Sequence, residues 1–98
     1  MGEPAQPVAR QEKKIRNRAG MHARAAVKFV QLASHFRSDI RVIKDASSVN
    51  GKSIMGLLPL VAALGFTIVI AAEGPDAEAA VEALGALVDD GFGEGVVE

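Results

Sequence analysis

The spacing of hydrophobic residues changes along the chain, and these changes predict alternating strands and helices. Residues 12–16 end a first strand, in which Ile15 points inward among charged neighbours. An amphipathic helix follows, because apolar residues then recur with a period of 3.6 residues. These residues are Ala26, Phe29, Val30, Ala33 and Phe36. Residues 39–44 alternate between apolar and polar side chains, which predicts a half-buried strand.

The middle of the chain is less regular. Residues 47–51 predict a weak strand that ends in a turn, and Ser53 can cap a short helix of about two turns. Gly65 separates this helix from a β-branched strand over residues 66–72. Because residues 54–72 form a nearly apolar stretch of 19 residues, a membrane span is an alternative on length alone.

The last helix has clear signals at both ends. Pro75 stands near its first position, and Asp76 and Glu78 place negative charge in the first turn, where the helix dipole favours it. Gly91 ends the helix. Its predicted buried stripe consists of Ala77, Ala80, Val81, Leu84, Leu87 and Val88. The order β-α-β-β-α-β-α predicts an α+β open-faced β-sandwich, with a four-stranded antiparallel sheet and three helices on one face.

Composition and charge narrow the classes of function. The 98 residues suffice for one domain, which we expect over residues 10–92, between a flexible tail at 1–9 and a short tail at 93–98. The absence of cysteine excludes disulfides and thiolate chemistry. A net charge of −1 and the lack of Trp and Tyr argue against a nucleic-acid partner. The first nine residues lack the apolar run of a secretory signal, so we expect a cytoplasmic protein.

His22 is the main candidate for chemistry. Since Gly20 precedes the periodic helix, His22 falls at a helix N-terminus, where backbone N–H groups lack helical partners. Such a terminus binds anions, and its dipole discourages protonation of an imidazole, which keeps the ring nucleophilic. Arg24 can add a charge-assisted contact to a phosphoryl group. A solvated histidine that only caps the helix is the alternative from the residues alone.

Three segments of the chain, the first of which contains His22 and Arg24, resemble the HPr family. Its members are the histidine-containing phosphocarriers of the bacterial phosphoenolpyruvate-dependent sugar phosphotransferase system. Residues 20–26, Gly-Met-His-Ala-Arg-Ala-Ala, resemble the family's active-site motif. Residues 49–56, Val-Asn-Gly-Lys-Ser-Ile-Met-Gly, resemble its second signature, and residues 72–77 resemble the start of its last helix. Ala25 stands where the commonest motif has proline. The resemblance covers residues 12–92 and implies a short helix, a turn and a strand in the apolar stretch.

The resemblance implies a phosphocarrier rather than an enzyme. His22 would receive a phosphoryl group from enzyme I and pass it to enzyme IIA-type proteins, with Arg24 contacting the phosphorylated ring. Ser53 matches the family's regulatory serine, a target for a serine kinase and phosphorylase, and a phosphate there would repel acidic partners. We expect partners to dock on an apolar cluster, although we expect part of the cluster to lie in the core. This cluster consists of Ile54, Met55 and Leu58.

Two alternative functions stay open. A regulatory phosphocarrier of a nitrogen-related or incomplete phosphotransferase system would use the same chemistry at His22. A non-phosphorylated interaction module on a similar sandwich is the alternative from another class, and the motif at His22 and Arg24 argues against it. His35, near the end of the first helix, is far from His22 in sequence and lacks nearby carboxylates, so we expect no metal and no cofactor. We also expect a monomer.

Overall fold

Seven helices and strands make up the computed structural model, which describes residues 6–97. They are β1 (Val8–Lys14), α1 (Ala23–Ala33), β2 (Asp39–Lys44), β3 (Ser47–Asn50), α2 (Ile54–Leu57), β4 (Thr67–Glu73) and α3 (Ala77–Asp89). Short 3₁₀ turns follow α2 at Leu58–Leu60 and α3 at Gly91–Gly93. The order of elements confirms the predicted α+β class, and β2 has the predicted bounds.

The four described strands form one antiparallel sheet in the order β1-β4-β2-β3. Alternate residues of β2 and β4 are buried on one face of this sheet, as the period of a strand requires. The core on that face contains fully buried residues from the sheet and the helices. Among them are Phe29, Ile40, Val42, Leu57, Ile68, Ile70, Leu84 and Val88. The described helices cover this face, and the alternate residues of β2 and β4 on the other face are exposed or half-buried, so the fold is an open-faced sandwich.

The apolar stretch over residues 54–72 folds into separate pieces. The turn after α2 ends at Val61, whose φ of 51° stops the helix, and Gly65, with a φ of 86°, precedes β4. None of the helices within residues 6–97 combines the length and the apolar composition needed to cross a membrane. The stretch therefore forms a short helix, a turn and a strand, as the family resemblance implies.

The first strand extends into the predicted N-terminal tail. β1 begins at Val8, where its first residues pair with the end of β4, and it ends at Lys14 rather than at the predicted Arg16. The strand therefore includes the last two residues of the predicted tail at 1–9, while residues 1–5 lie outside the described part of the chain. Ile15, predicted to point inward at the end of this strand, directly follows β1 and is fully buried.

The segment after α3 is bonded to other parts of the chain. Phe92 is fully buried, and its carbonyl accepts a hydrogen bond from the ammonium of Lys28 at 2.7 Å. Further on, the N–H of Val97 donates to the carbonyl of Arg16 at 2.8 Å. The predicted short tail at 93–98 is therefore tied to the domain at Val97, although residues 93–95 are exposed, and its last residue lies outside the described part.

The first helix is shorter than the predicted apolar face, which extends to Phe36. The N–H groups of His35 and Phe36 donate to carbonyls three residues earlier, both at 3.1 Å, so the chain tightens after Ala33. Phe36 still packs partly buried against the core, and His35 is exposed. The predicted side of the helix is therefore right, although its last turn is not α-helical.

Asp76 joins the start of α3 to the loop before β2. Its carboxylate accepts hydrogen bonds from the N–H of Arg37 at 2.8 Å, the N–H of Ser38 at 2.9 Å and the hydroxyl of Ser38 at 2.6 Å. These contacts, the Ser38 hydroxyl first, lower the pKa of Asp76 to about 2. Asp76 is the N-cap residue, so Pro75 lies before the cap rather than in the helix.

Candidate functional site

His22 occupies the N-cap position of α1, as the sequence predicts. Its backbone is extended, and its carbonyl accepts the first helical hydrogen bond from the N–H of Ala26 at 2.8 Å. Its ring nitrogen Nδ1 accepts a hydrogen bond from the backbone N–H of Arg24 at 3.3 Å. The side chain is 29% exposed, so the helix start orients a ring that another molecule can reach.

The loop before α1 fixes the place of His22. Gly20 has a φ of 68°, and a Cβ on it would come within 2.6 Å of the carbonyl oxygen of Ala62. Only glycine suits both this backbone angle and this close approach. Met21 is almost fully buried, and its N–H donates to the same carbonyl at 2.9 Å. The loop therefore holds His22 beside residues 61–63.

A carboxylate that sequence patterns do not predict lies at the other edge of the ring. Oε2 of Glu94 is 2.5 Å from Nε2 of His22, and Oε1 of Glu94 accepts a hydrogen bond from Nδ2 of Asn17 at 2.9 Å. The bond from Asn17, followed by the contact with His22, lowers the pKa of Glu94. An ionised carboxylate only accepts hydrogen bonds. Nε2 of His22 is therefore the donor, and Nδ1 carries the lone pair.

Arg24 contacts the ring through its backbone, whereas the sequence suggests a role for its side chain. The side chain is exposed, and its positive charge contributes to the low pKa of Glu94. The guanidinium is therefore available to an anion that approaches the start of α1. Ala25, at the family's proline position, is fully buried in the first turn, and α1 forms without that proline.

The predicted docking residues divide between surface and core. Met55 is 86% exposed and Leu58 is 39% exposed, whereas Ile54 is partly buried against the core. Leu58 lines a shallow groove of about 230 Å³ together with His22 and Val61, a residue absent from the prediction that is 68% exposed. Met55, Leu58 and Val61 therefore define an exposed apolar surface, the α2 surface, that reaches the histidine.

Ser53 caps α2, as predicted. Its Oγ accepts a hydrogen bond from the N–H of Gly56 at 3.1 Å, and its own N–H donates to the carbonyl of Asn50 at 3.2 Å. The residue is half-buried. The hydroxyl thus lies at the start of the helix that carries Met55.

The second histidine lies apart from this site. His35 follows the far end of α1, about 20 Å from His22 by the rise of a helix. Over residues 6–97, no group of three or more His, Asp or Glu side chains is placed to hold a metal ion. The structure thus brings together His22, the backbone of Arg24 and Glu94, which come from opposite ends of the chain.

Comparison with known proteins identifies a family with this fold. Residues 9–90 match a family model described as PTS HPr component phosphorylation site. Phosphocarrier protein HPr of Neisseria meningitidis is 49% identical over 86 residues, which cover 88% of this chain and 97% of that protein. Phosphocarrier protein NPr of Shewanella violacea is 42% identical over 80 residues, which cover 82% of this chain and 88% of that protein.

A solved structure agrees with both sequence relatives. The crystal structure of HPr-C-His from Thermoanaerobacter tengcongensis has a TM-score of 0.86 to this chain at 44% identity. The match covers 90% of this chain and 99% of that one. The chain therefore belongs to the HPr family of phosphocarrier proteins of the phosphotransferase system.

Proposed function

We propose that His22 accepts a phosphoryl group from enzyme I, which takes it from phosphoenolpyruvate. It then passes the group to enzyme IIA-type proteins of a sugar phosphotransferase system in the cytoplasm. The orientation of the ring carries this proposal. Nδ1 faces the backbone N–H of Arg24 at the start of α1, while Nε2 faces Glu94. The nucleophilic lone pair therefore lies at the helix end that attracts anions.

Transfer to His22 requires mainly that the reacting groups are well placed. In this proposal enzyme I carries the group on a histidine of its own. The lone pair of Nδ1 attacks phosphorus while the bond between phosphorus and the donor's histidine nitrogen breaks. The first N–H groups of α1 have no helical partners, and together with the Arg24 guanidinium they stabilise the bound phosphoryl group. The protein is converted to its phosphorylated form and back in each cycle, so it acts as a carrier and not as an enzyme.

The α2 surface serves as the docking site for both partners. The donor and the acceptor each have to bring their own reacting group to His22, so they meet the same neighbouring surface in turn. A shallow apolar groove favours short-lived complexes over tight ones. The exposed Met55 suits this use because a flexible thioether side chain adapts to different partners.

Phosphorylation of Ser53 by a serine kinase, reversed by a phosphorylase, regulates this docking. The N-cap position favours an added anion, so α2 stays folded when the serine is modified. The modification adds about two negative charges beside Met55. Partners with acidic docking surfaces are then repelled.

A regulatory phosphocarrier of a nitrogen-related or incomplete phosphotransferase system is the second candidate. The similarity to a relative named phosphocarrier protein NPr supports it, and the chemistry at His22 is the same in both cases. The two candidates differ in the acceptor. Discharge of the phosphorylated protein by a sugar-specific enzyme IIA component supports the first, and failure with every such component supports the second.

The direct test is incubation with phosphoenolpyruvate and enzyme I from a relative, followed by mass spectrometry. We expect one acid-labile phosphoryl group, located on His22 in the wild type and missing from His22→Ala. His35→Ala removes the other histidine and should be labelled like the wild type. A wild-type protein that takes up no label would favour a non-phosphorylated interaction module on the same fold.

A further inference from the structure

We propose that Glu94 is a positioning residue for His22. Its carboxylate accepts the hydrogen bond from Nε2 and thereby holds the imidazole in the tautomer whose Nδ1 carries the nucleophilic lone pair. Glu94 also neutralises the positive charge that the ring acquires when Nδ1 is phosphorylated. This role rests on the proposed function of His22 and adds to it a residue from the end of the chain.

Two independent contacts require the same tautomer. The N–H of Arg24 points at Nδ1, which must therefore offer a lone pair, and Oε2 of Glu94 faces Nε2, which must therefore carry the proton. Since a hydrogen bond to a charged carboxylate is stronger than one from a neutral backbone N–H, Glu94 has the larger influence on the ring.

The carboxylate of Glu94 is itself held in place. Asn17 is fully buried, and its Nδ2 donates to Oε1 of Glu94 and to the carbonyl of Gly20, each at 2.9 Å. This leaves Oε2 directed at His22. The low pKa of Glu94, to which the bond from Asn17 contributes most, keeps the carboxylate charged. Because Glu94 is fixed and ionised, it can accept a hydrogen bond only from a protonated Nε2, and it therefore selects one tautomer of His22.

The backbone around Glu94 is fastened on both sides. Before it, Phe92 is fully buried and receives the hydrogen bond from Lys28. After it, the N–H of Val97 donates to the carbonyl of Arg16, next to Asn17. The N–H of Glu94 donates to the carbonyl of Gly91 at 2.9 Å, which closes a turn. These contacts hold the backbone of Glu94 in a position from which its side chain reaches His22.

The balance of the transfer step shows why a carboxylate helps. The lone pair of Nδ1 forms the new bond to phosphorus, and the electron pair of the broken bond returns to the donor's histidine nitrogen. His22 keeps its proton on Nε2, so its ring becomes positively charged and is stabilised by Glu94. In the second transfer the protonated ring leaves as a neutral imidazole. Glu94 therefore stabilises the phosphorylated ring, and it keeps on Nε2 the proton that lets the ring leave as a neutral imidazole.

The first test measures the tautomer of His22 and needs no partner. In ¹⁵N NMR spectra of the neutral ring, the wild type should show a protonated Nε2 and an unprotonated Nδ1. Glu94→Gln has one oxygen to share between Asn17 and His22, so the ratio of the two tautomers should fall by about fivefold or more. Glu82→Gln removes an exposed charge on α3 and should match the wild type. An unchanged ratio in Glu94→Gln would overturn the proposal.

The second test measures phosphoryl transfer from phosphorylated enzyme I. Glu94→Gln should react roughly tenfold more slowly than the wild type, as expected for the loss of one hydrogen bond to a charged group, and Glu82→Gln should react normally. An equal rate for Glu94→Gln would also overturn the proposal. If the wild type takes up no phosphate, the proposed function fails instead, and the tautomer ratio alone decides whether Glu94 positions the ring.

Discussion

The two residues proposed as phosphorylation sites begin their helices in similar ways. Nδ1 of His22 accepts a hydrogen bond from the backbone N–H of Arg24 at the start of α1, at 3.3 Å. Oγ of Ser53 accepts one from the backbone N–H of Gly56 at the start of α2, at 3.1 Å. Each side chain thus satisfies one of the N–H groups that a helix start leaves unpaired. What else holds the two side chains is different.

His22 depends on parts of the chain that are far apart, whereas Ser53 depends on its neighbours. Glu94, 72 residues later, contacts Nε2 of His22. The bonds of Ser53 stay within four residues: its N–H donates to the carbonyl of Asn50, its carbonyl accepts from the N–H of Leu57, and its hydroxyl accepts from the N–H of Gly56. A phosphate on Ser53 therefore meets a local helix cap. The site at His22, by contrast, is complete only when the C-terminal segment is packed.

A change in the C-terminal segment should affect His22 and spare Ser53. Phe92 is fully buried, so Phe92→Ala should lower the free energy of unfolding by about 3–5 kcal/mol. In the molecules that stay folded, Glu94 should separate from His22, while the amide NMR signals of Ser53 and Gly56 should keep their positions. Urea denaturation measures the loss of stability, and ¹⁵N spectra of the His22 ring report the loss of contact.

Phe66→Ala is the matched control for this change. Phe66 is 47% exposed, and its ring lies 4.8 Å from the Lys44 ammonium, a contact worth about 0.5–1 kcal/mol. Phe66→Ala should therefore lower the free energy of unfolding much less than Phe92→Ala does. If both variants lost the same free energy of unfolding and the NMR signals of the His22 ring did not change, the C-terminal segment would not support the site.

The contrast between local and distant contacts also separates what could be predicted from what could not. β2 has its predicted bounds, because its alternation lies within six residues. Ser53 caps α2 and His22 begins α1 as predicted, because caps act over three or four residues. The stripe of α3 is buried except for Leu87, which is partly exposed at its edge.

The C-terminal support could not be predicted, because its contacts join residues far apart in sequence. Residues 91–95 are rich in glycine and show neither a helical nor a strand period, so no pattern indicates that Phe92 is buried or that Glu94 faces His22. Phe92 has a φ of 56°, a rare angle for a residue other than glycine. Its burial and the bond from Lys28 to its carbonyl are tertiary contacts, which no local pattern reveals.

Changing the α2 surface should slow transfer without weakening either helix start. Met55 is exposed, so Met55→Glu should leave the free energy of unfolding within about 0.5 kcal/mol of the wild type. It should slow phosphoryl transfer from enzyme I at least about fivefold, because a charge replaces an apolar docking contact. Ala79→Glu adds the same charge to an exposed position of α3 and should transfer normally. Equal rates for both variants and the wild type would remove the α2 surface from the proposed function.

The smallest expected effect concerns Ser53 itself. Ser53→Ala removes the cap and should lower the free energy of unfolding by about 1 kcal/mol, whereas Ser53→Asp can still cap α2 and should stay close to the wild type. Because the carboxylate adds negative charge beside Met55, Ser53→Asp should nevertheless be the slower of the two in transfer from enzyme I. Thermal unfolding should show that Ser53→Asp is the more stable variant, and the transfer assay should show that it is the slower one. If Ser53→Asp were phosphorylated on His22 as fast as Ser53→Ala, the serine would be a helix cap without a part in docking.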